Sequence, residues 1–145
     1  MINNVILASS SGIRLKILKD NGFEVEQHLP GVDEDEVKIS LMNSGATCLQ
    51  LAKNLSELKA NRISSKFPSK VVIGADQVME LNGKNYSKPK DKKEAKQILK
   101  LLNNTKHYLH SAVCVSRGGS MISNFHESCP LKVKNLNDKE IDEYI

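Results

Sequence analysis

At 145 residues, with 39% hydrophobic and 26% charged side chains, the chain is long enough for one domain with a sizeable core, too short for two, and too apolar to be disordered. A net charge of +4 with a pI near 8.9 suits an anionic ligand, while an aromatic content of 4% argues against the stacked bases of a nucleic-acid module. Three cysteines without Cys-x-x-Cys spacing exclude a disulfide framework, no apolar run approaches the roughly 20 residues that cross a bilayer, and no secretory signal opens the chain, so a cytoplasmic protein is expected.

Residues 5–8, Val-Ile-Leu-Ala, predict a short strand that runs into Ser9-Ser10-Ser11-Gly12. A helix follows over 13–18, with Ser11 as its N-cap and Gly22 at the position of a left-handed C-terminal residue. Free N–H groups at a helix N-terminus, flanked by hydroxyls and Arg14, make an anion cradle, and a plain serine-rich turn with Arg14 in solvent is the alternative. Residues 23–28 alternate as a half-buried strand. The acids at 33–36 predict a solvated loop, with a hard oxygen ligand for Mg²⁺ as their other use. Leu49, Ala52, Leu55, Leu58 and Ile63 recur at helical spacing and predict a long amphipathic helix over 46–66. Lys59 falls in its second half, where a lysine is usually a surface residue or supports the last turn.

The central feature is Val71-Val72-Ile73-Gly74-Ala75-Asp76-Gln77-Val78, a β-branched run that predicts a strand buried on both faces. A buried carboxylate without partners is costly, so Asp76 is expected to point into a cleft. Asn82-Gly83 predicts a hairpin that returns Lys88 toward Asp76, giving either a phosphate-and-metal site or an ordinary surface ion pair. A helix is predicted over 91–102 with an Asp91/Glu94 capping box, then strands at 107–115 and 121–125 joined by Gly118-Gly119, and a further short strand at 131–133. His107, His110 and His126 do not have zinc-ligand spacing. Asn137 and Glu140 form a capping box for a last helix that has run about two turns when the sequence stops. The expected fold class is α/β, one domain over 1–145.

Taken together, these motifs resemble those of the Maf proteins, nucleoside triphosphate pyrophosphatases. The family's Leu-Ala-Ser-x-Ser-Pro-x-Arg segment is similar to Leu7-Ala8-Ser9-Ser10-Ser11-Gly12-Ile13-Arg14, and its Val-Asp-Glu loop to Val32-Asp33-Glu34. Its Leu-Ala-x-x-Lys-Ala helix resembles 55–60, its Ile-Gly-Ala/Ser-Asp-Thr/Gln-Val strand 73–78, and its Gly-Lys-Pro Ser87-Lys88-Pro89. The segment 107–112 and the helix start at 136–141 also match, in family order. Gly12, Ile13 and Ser87 depart from the pattern, replacing proline, Arg or Trp, and glycine.

The resemblance implies a mixed twisted sheet flanked by helices, as in Maf and inosine triphosphatase proteins, with the usual C-terminal segment of the family missing. It implies hydrolysis of a nucleoside triphosphate to monophosphate and pyrophosphate with a divalent cation, Mg²⁺ or Mn²⁺, and homodimer formation. Asp76 would be the proton acceptor and a metal ligand with Glu34, and Ser9, Ser11, Arg14, Lys59 and Lys88 would bind the triphosphate. Ile13 and Gln77 occupy specificity positions, and the Asp-Gln branch resembles enzymes that prefer 7-methyl-GTP. A nucleotide-binding regulatory protein without turnover is the alternative.

Overall fold

The computed structural model describes residues 3–145, arranged as six strands and five helices in one mixed α/β unit. The elements are β1 (Asn4–Leu7), α1 (Gly12–Asp20), β2 (Glu24–Gln27), α2 (Glu34–Asn43), α3 (Cys48–Lys66), β3 (Val71–Leu81), β4 (Lys84–Tyr86), α4 (Lys92–Leu102), β5 (Lys106–Arg117), β6 (Ser120–Lys132) and α5 (Asp138–Tyr144). Along the sheet the order is β2-β1-β3-β5-β6, with β4 paired to β3. β1 is parallel to β2 and β3, whereas β3, β5 and β6 pair antiparallel.

α3 lies across β3 and β5 and supplies more of the core than any other element, through Cys48, Leu51, Ala52, Leu55, Ala60 and Ile63. They meet Val72, Val78, Ala112 and Cys114, which the two-residue strand period places on the same side of the sheet. Gly74 permits this close packing. A Cβ there would stand 2.3 Å from the Ser56 carbonyl oxygen and 2.8 Å from the Ala60 nitrogen. On the opposite side, α4 brings Ile98, Leu101 and Leu102 to Met79 and Leu81.

Ser11, Asp91 and Asn137 cap their helices as the sequence predicts. Ser11, Thr47 and Asn137 each accept the backbone N–H three residues on, and Thr47/Gln50 and Asn137/Glu140 form reciprocal boxes. Asp91 caps α4 in the same way, but the Glu94 carboxylate accepts from Lys90 N–H rather than closing the box on Asp91. Asn82 and Gly83, with φ of 51° and 80°, form the tight β3–β4 turn that only such residues adopt readily.

Besides the Asp91/Glu94 box, five expectations change. The acids at 33–36 are not a loop: Asp33 caps α2 and the others form its first turn, where negative charge favours a helix. The strands expected at 121–125 and 131–133 are one 13-residue strand, β6, and Pro130 is accommodated because β6 is the sheet's edge. β3 is buried mainly on its α3 side; of the alternate side chains only Leu81 is buried, and the rest are half-buried or exposed. Leu58, expected to face inward, is 39% exposed. Lys59 is a buried residue, not a surface one.

Candidate active site

The site lies where the sheet is incomplete. β1 pairs with β3 only as far as Leu7 opposite Ile73, and β4 joins the same edge only from Met79 onward. Between them, residues 74–78 of β3, paired with β5 on one edge, have no strand on the other among the described residues. The last ladder bond runs from Ala8 N–H to the Ile73 carbonyl at 2.8 Å. Two residues on, the Ala75 carbonyl points to the same edge and accepts two cations instead: Arg14 Nη1 at 3.1 Å and Lys59 Nζ at 3.2 Å.

Lys59 uses all three of its donors. It reaches the Ala75 carbonyl, Asp76 Oδ1 at 3.1 Å, and Glu34 Oε1 at the N-terminus of α2. Asp76 is only 7% exposed, and its Oδ2 is buried without a hydrogen-bond partner among the described residues. Burial pushes the Asp76 carboxyl above its ordinary 3.8; attraction from Lys59 opposes this without cancelling it, Glu34 adds to the rise, and Lys38 draws it down.

The serine loop closes the other side. Arg14 Nη1 donates to Ser9 Oγ at 3.3 Å, the same oxygen accepts Ser11 N–H at 3.1 Å, and Ser11 Oγ accepts Arg14 N–H at 3.2 Å. A buried serine, a guanidinium and the start of α1 are thereby fixed beside β3. Strand β1 delivers Ser9 and helix α1 delivers Arg14, so the loop geometry follows from the strand-to-helix junction.

The structure thus brings together Ser9, Ser11, Arg14, Glu34, Lys59 and Asp76. It does not bring Lys88 against Asp76: Lys88 is exposed and makes no ion pair among the described residues. Ile13 stands 76% exposed on α1. Gln77, next to Asp76, faces the other side of the strand and donates through Nε2 to Ser111 Oγ at 3.1 Å. Sequence reasoning did not include two contributors, the Ala75 carbonyl and Lys38. Lys38 lies four residues after Glu34, hence on the same helical face, a signal readable once α2 is known to be a helix. Nothing in the sequence marks a carbonyl freed by a gap between strands.

Two carboxylates meet at one ammonium, and Asp76 keeps one buried oxygen unused, a hard-oxygen donor set that fits Mg²⁺ or Mn²⁺. No group of three His, Cys, Asp or Glu among the described residues is arranged to hold a metal.

The fold defines an α/β protein of the architecture seen in Ham1 proteins. The Ham1 protein of Staphylococcus aureus aligns with a TM-score of 0.59 at 16% identity, over 89% of this chain and 71% of that one. A HAM1 protein from Coxiella burnetii aligns at 0.53 and 12% identity. Within that class the chain belongs to the Maf family, whose model, described as Maf-like protein, matches residues 4–145. It is 48% identical over 145 residues to a protein of Pelagibacter ubique named nucleoside triphosphate pyrophosphatase, covering all of this chain and 74% of that protein. It is 37% identical over 145 residues to a Bartonella quintana protein named 7-methyl-GTP pyrophosphatase, covering all of this chain and 72% of the relative.

Proposed function

We propose that this chain hydrolyses a nucleoside triphosphate to the monophosphate and pyrophosphate, with 7-methyl-GTP as the favoured substrate. The names of its relatives support the reaction. The observation that carries it is Asp76: a buried carboxylate with one oxygen held by Lys59 and the other free, beside a serine loop and Arg14.

Phosphoryl transfer needs positioning, charge neutralisation and a group that orients water. Arg14 and the N–H groups at the start of α1 bind triphosphate oxygens, Ser9 and Ser11 hold the loop in register, Lys59 reaches the phosphates by exchanging one of its three acceptors, and Lys88 adds its charge from the exposed chain after β4. Asp76 accepts the proton of a water that attacks the α-phosphorus. The bond from that phosphorus to the bridging oxygen breaks, and its electron pair leaves with pyrophosphate. Asp76 and Glu34 would hold the divalent cation, which when bound neutralises phosphate charge.

The preference for a methylated purine rests on Gln77 following Asp76 and on relatives from Rhizobium etli and Bartonella quintana named for 7-methyl-GTP. A panel of nucleoside triphosphates assayed for pyrophosphate with Mg²⁺ or Mn²⁺ tests both levels. The expected result is metal-dependent release, fastest with 7-methyl-GTP. Tight binding without release overturns the enzymatic reading, and equal rates across bases overturn the specificity.

A further inference from the structure

Residues 84–100 carry seven lysines against two acids, a surplus of five that exceeds the +4 of the whole chain. Apart from this stretch the protein is slightly acidic. Lys84, Lys88, Lys90, Lys92, Lys93 and Lys100 are exposed and have no ion-pair partner among the described residues; only Lys96 is paired, with Asp142 at 2.7 Å. The two acids are occupied locally, Asp91 accepting Glu94 N–H at 2.8 Å and Glu94 accepting Lys90 N–H at 3.4 Å. Lys92 and Lys93 also open α4, the end of a helix where its dipole disfavours cations. Helix stability therefore does not account for their position.

Topology sends the start of this stretch toward the gap in the sheet. β4 runs antiparallel to β3 on the same edge, with Tyr86 opposite Met79, so the chain leaving β4 heads back toward the open segment that holds Ala75 and Asp76. Lys88, Lys90, Lys92 and Lys93 follow within about 25 Å of chain from Tyr86. We infer that this lysine-rich stretch steers the polyanionic triphosphate substrate toward the open edge of β3 beside Ala75 and Asp76. The inference rests on the proposed reaction and adds to it the route by which substrate arrives. A hydrated, mobile ammonium acts as a point charge at long range rather than as a fixed clamp, which suits guidance more than recognition.

The test is the association rate of a ribose-labelled fluorescent GTP, followed by stopped flow from about 0.01 M to about 1 M salt, over which the screening length shrinks from about 30 Å to about 3 Å. The protein is compared with the triple variant Lys90→Gln/Lys92→Gln/Lys93→Gln, which leaves the cleft residues intact. At low salt the parent should associate about tenfold faster than the variant, the two should converge at high salt, and kcat and the melting temperature should not change. Equal salt slopes for parent and variant overturn the inference. So does single-stranded RNA that competes at lower concentration than the triphosphate, because the partner of this face is then a nucleic acid. Pyrophosphate release separates the two readings: no release with a lysine-dependent association rate removes the hydrolase and leaves the steering, whereas release with lysine-independent association does the reverse.

Discussion

Three acceptors surround the Lys59 ammonium, and they come from β3 and α2 while the lysine itself stands on α3. Removing it as Lys59→Met leaves Asp76 buried opposite an apolar side chain. A loss of about 3–5 kcal/mol of stability at neutral pH is expected in urea denaturation, shrinking at low pH as Asp76 takes up a proton. Asp76→Asn behaves differently. Burial raises the Asp76 carboxyl above 3.8, so the folded state holds that proton more tightly than the unfolded chain. Stability therefore falls as pH rises through the window between 3.8 and the raised value. The asparagine variant should melt at or above the parent temperature at neutral pH, and the two should converge below that window. Its pyrophosphate release should drop by about 10²–10⁴-fold, the contribution of a positioned general base. The acid limb of the parent's pH–rate profile should lie above the ordinary carboxylate range.

At the scale of elements, the site depends on how closely α3 approaches β3. Gly74→Ala sets a methyl group against the Ser56 carbonyl and Ala60, next to Lys59. A cost of about 1–3 kcal/mol by chemical denaturation is expected, with loss of turnover out of proportion to it because Lys59 moves with the helix. Asp33→Ala removes the cap of the turn that carries Glu34 and should cost about 0.5–2 kcal/mol. The elements that could be read from sequence are those with punctuation: Ser11 before α1, Asn82-Gly83 between β3 and β4, and Asn137 with Glu140 at α5. α2 was hidden because four successive acids resemble a solvated loop, and α2 buries no side chain fully. The burial of Lys59 was equally hidden, since its partners lie 25 and 17 residues away and only the packing of α2 and β3 on α3 brings them together.

Across the whole molecule, the parallel β1–β3 core could be read from its apolar runs, whereas the long outer strand could not. Pro130 and the polar residues of β6 suggest an interruption, yet an edge strand needs ladder bonds on one side only. All thirteen residues of β6 are exposed, including Ile122 at 61% and Phe125 at 65%. Such an edge invites pairing with other chains, and charge is the usual protection. Phe125→Lys should lower light scattering of concentrated protein while changing stability by no more than about 0.5 kcal/mol. The interval beside residues 74–78 is a different kind of opening. A design that zipped it shut with one more strand would finish the ladder and gain rigidity. It would also wall the reagents in, and the sturdier molecule would be chemically silent.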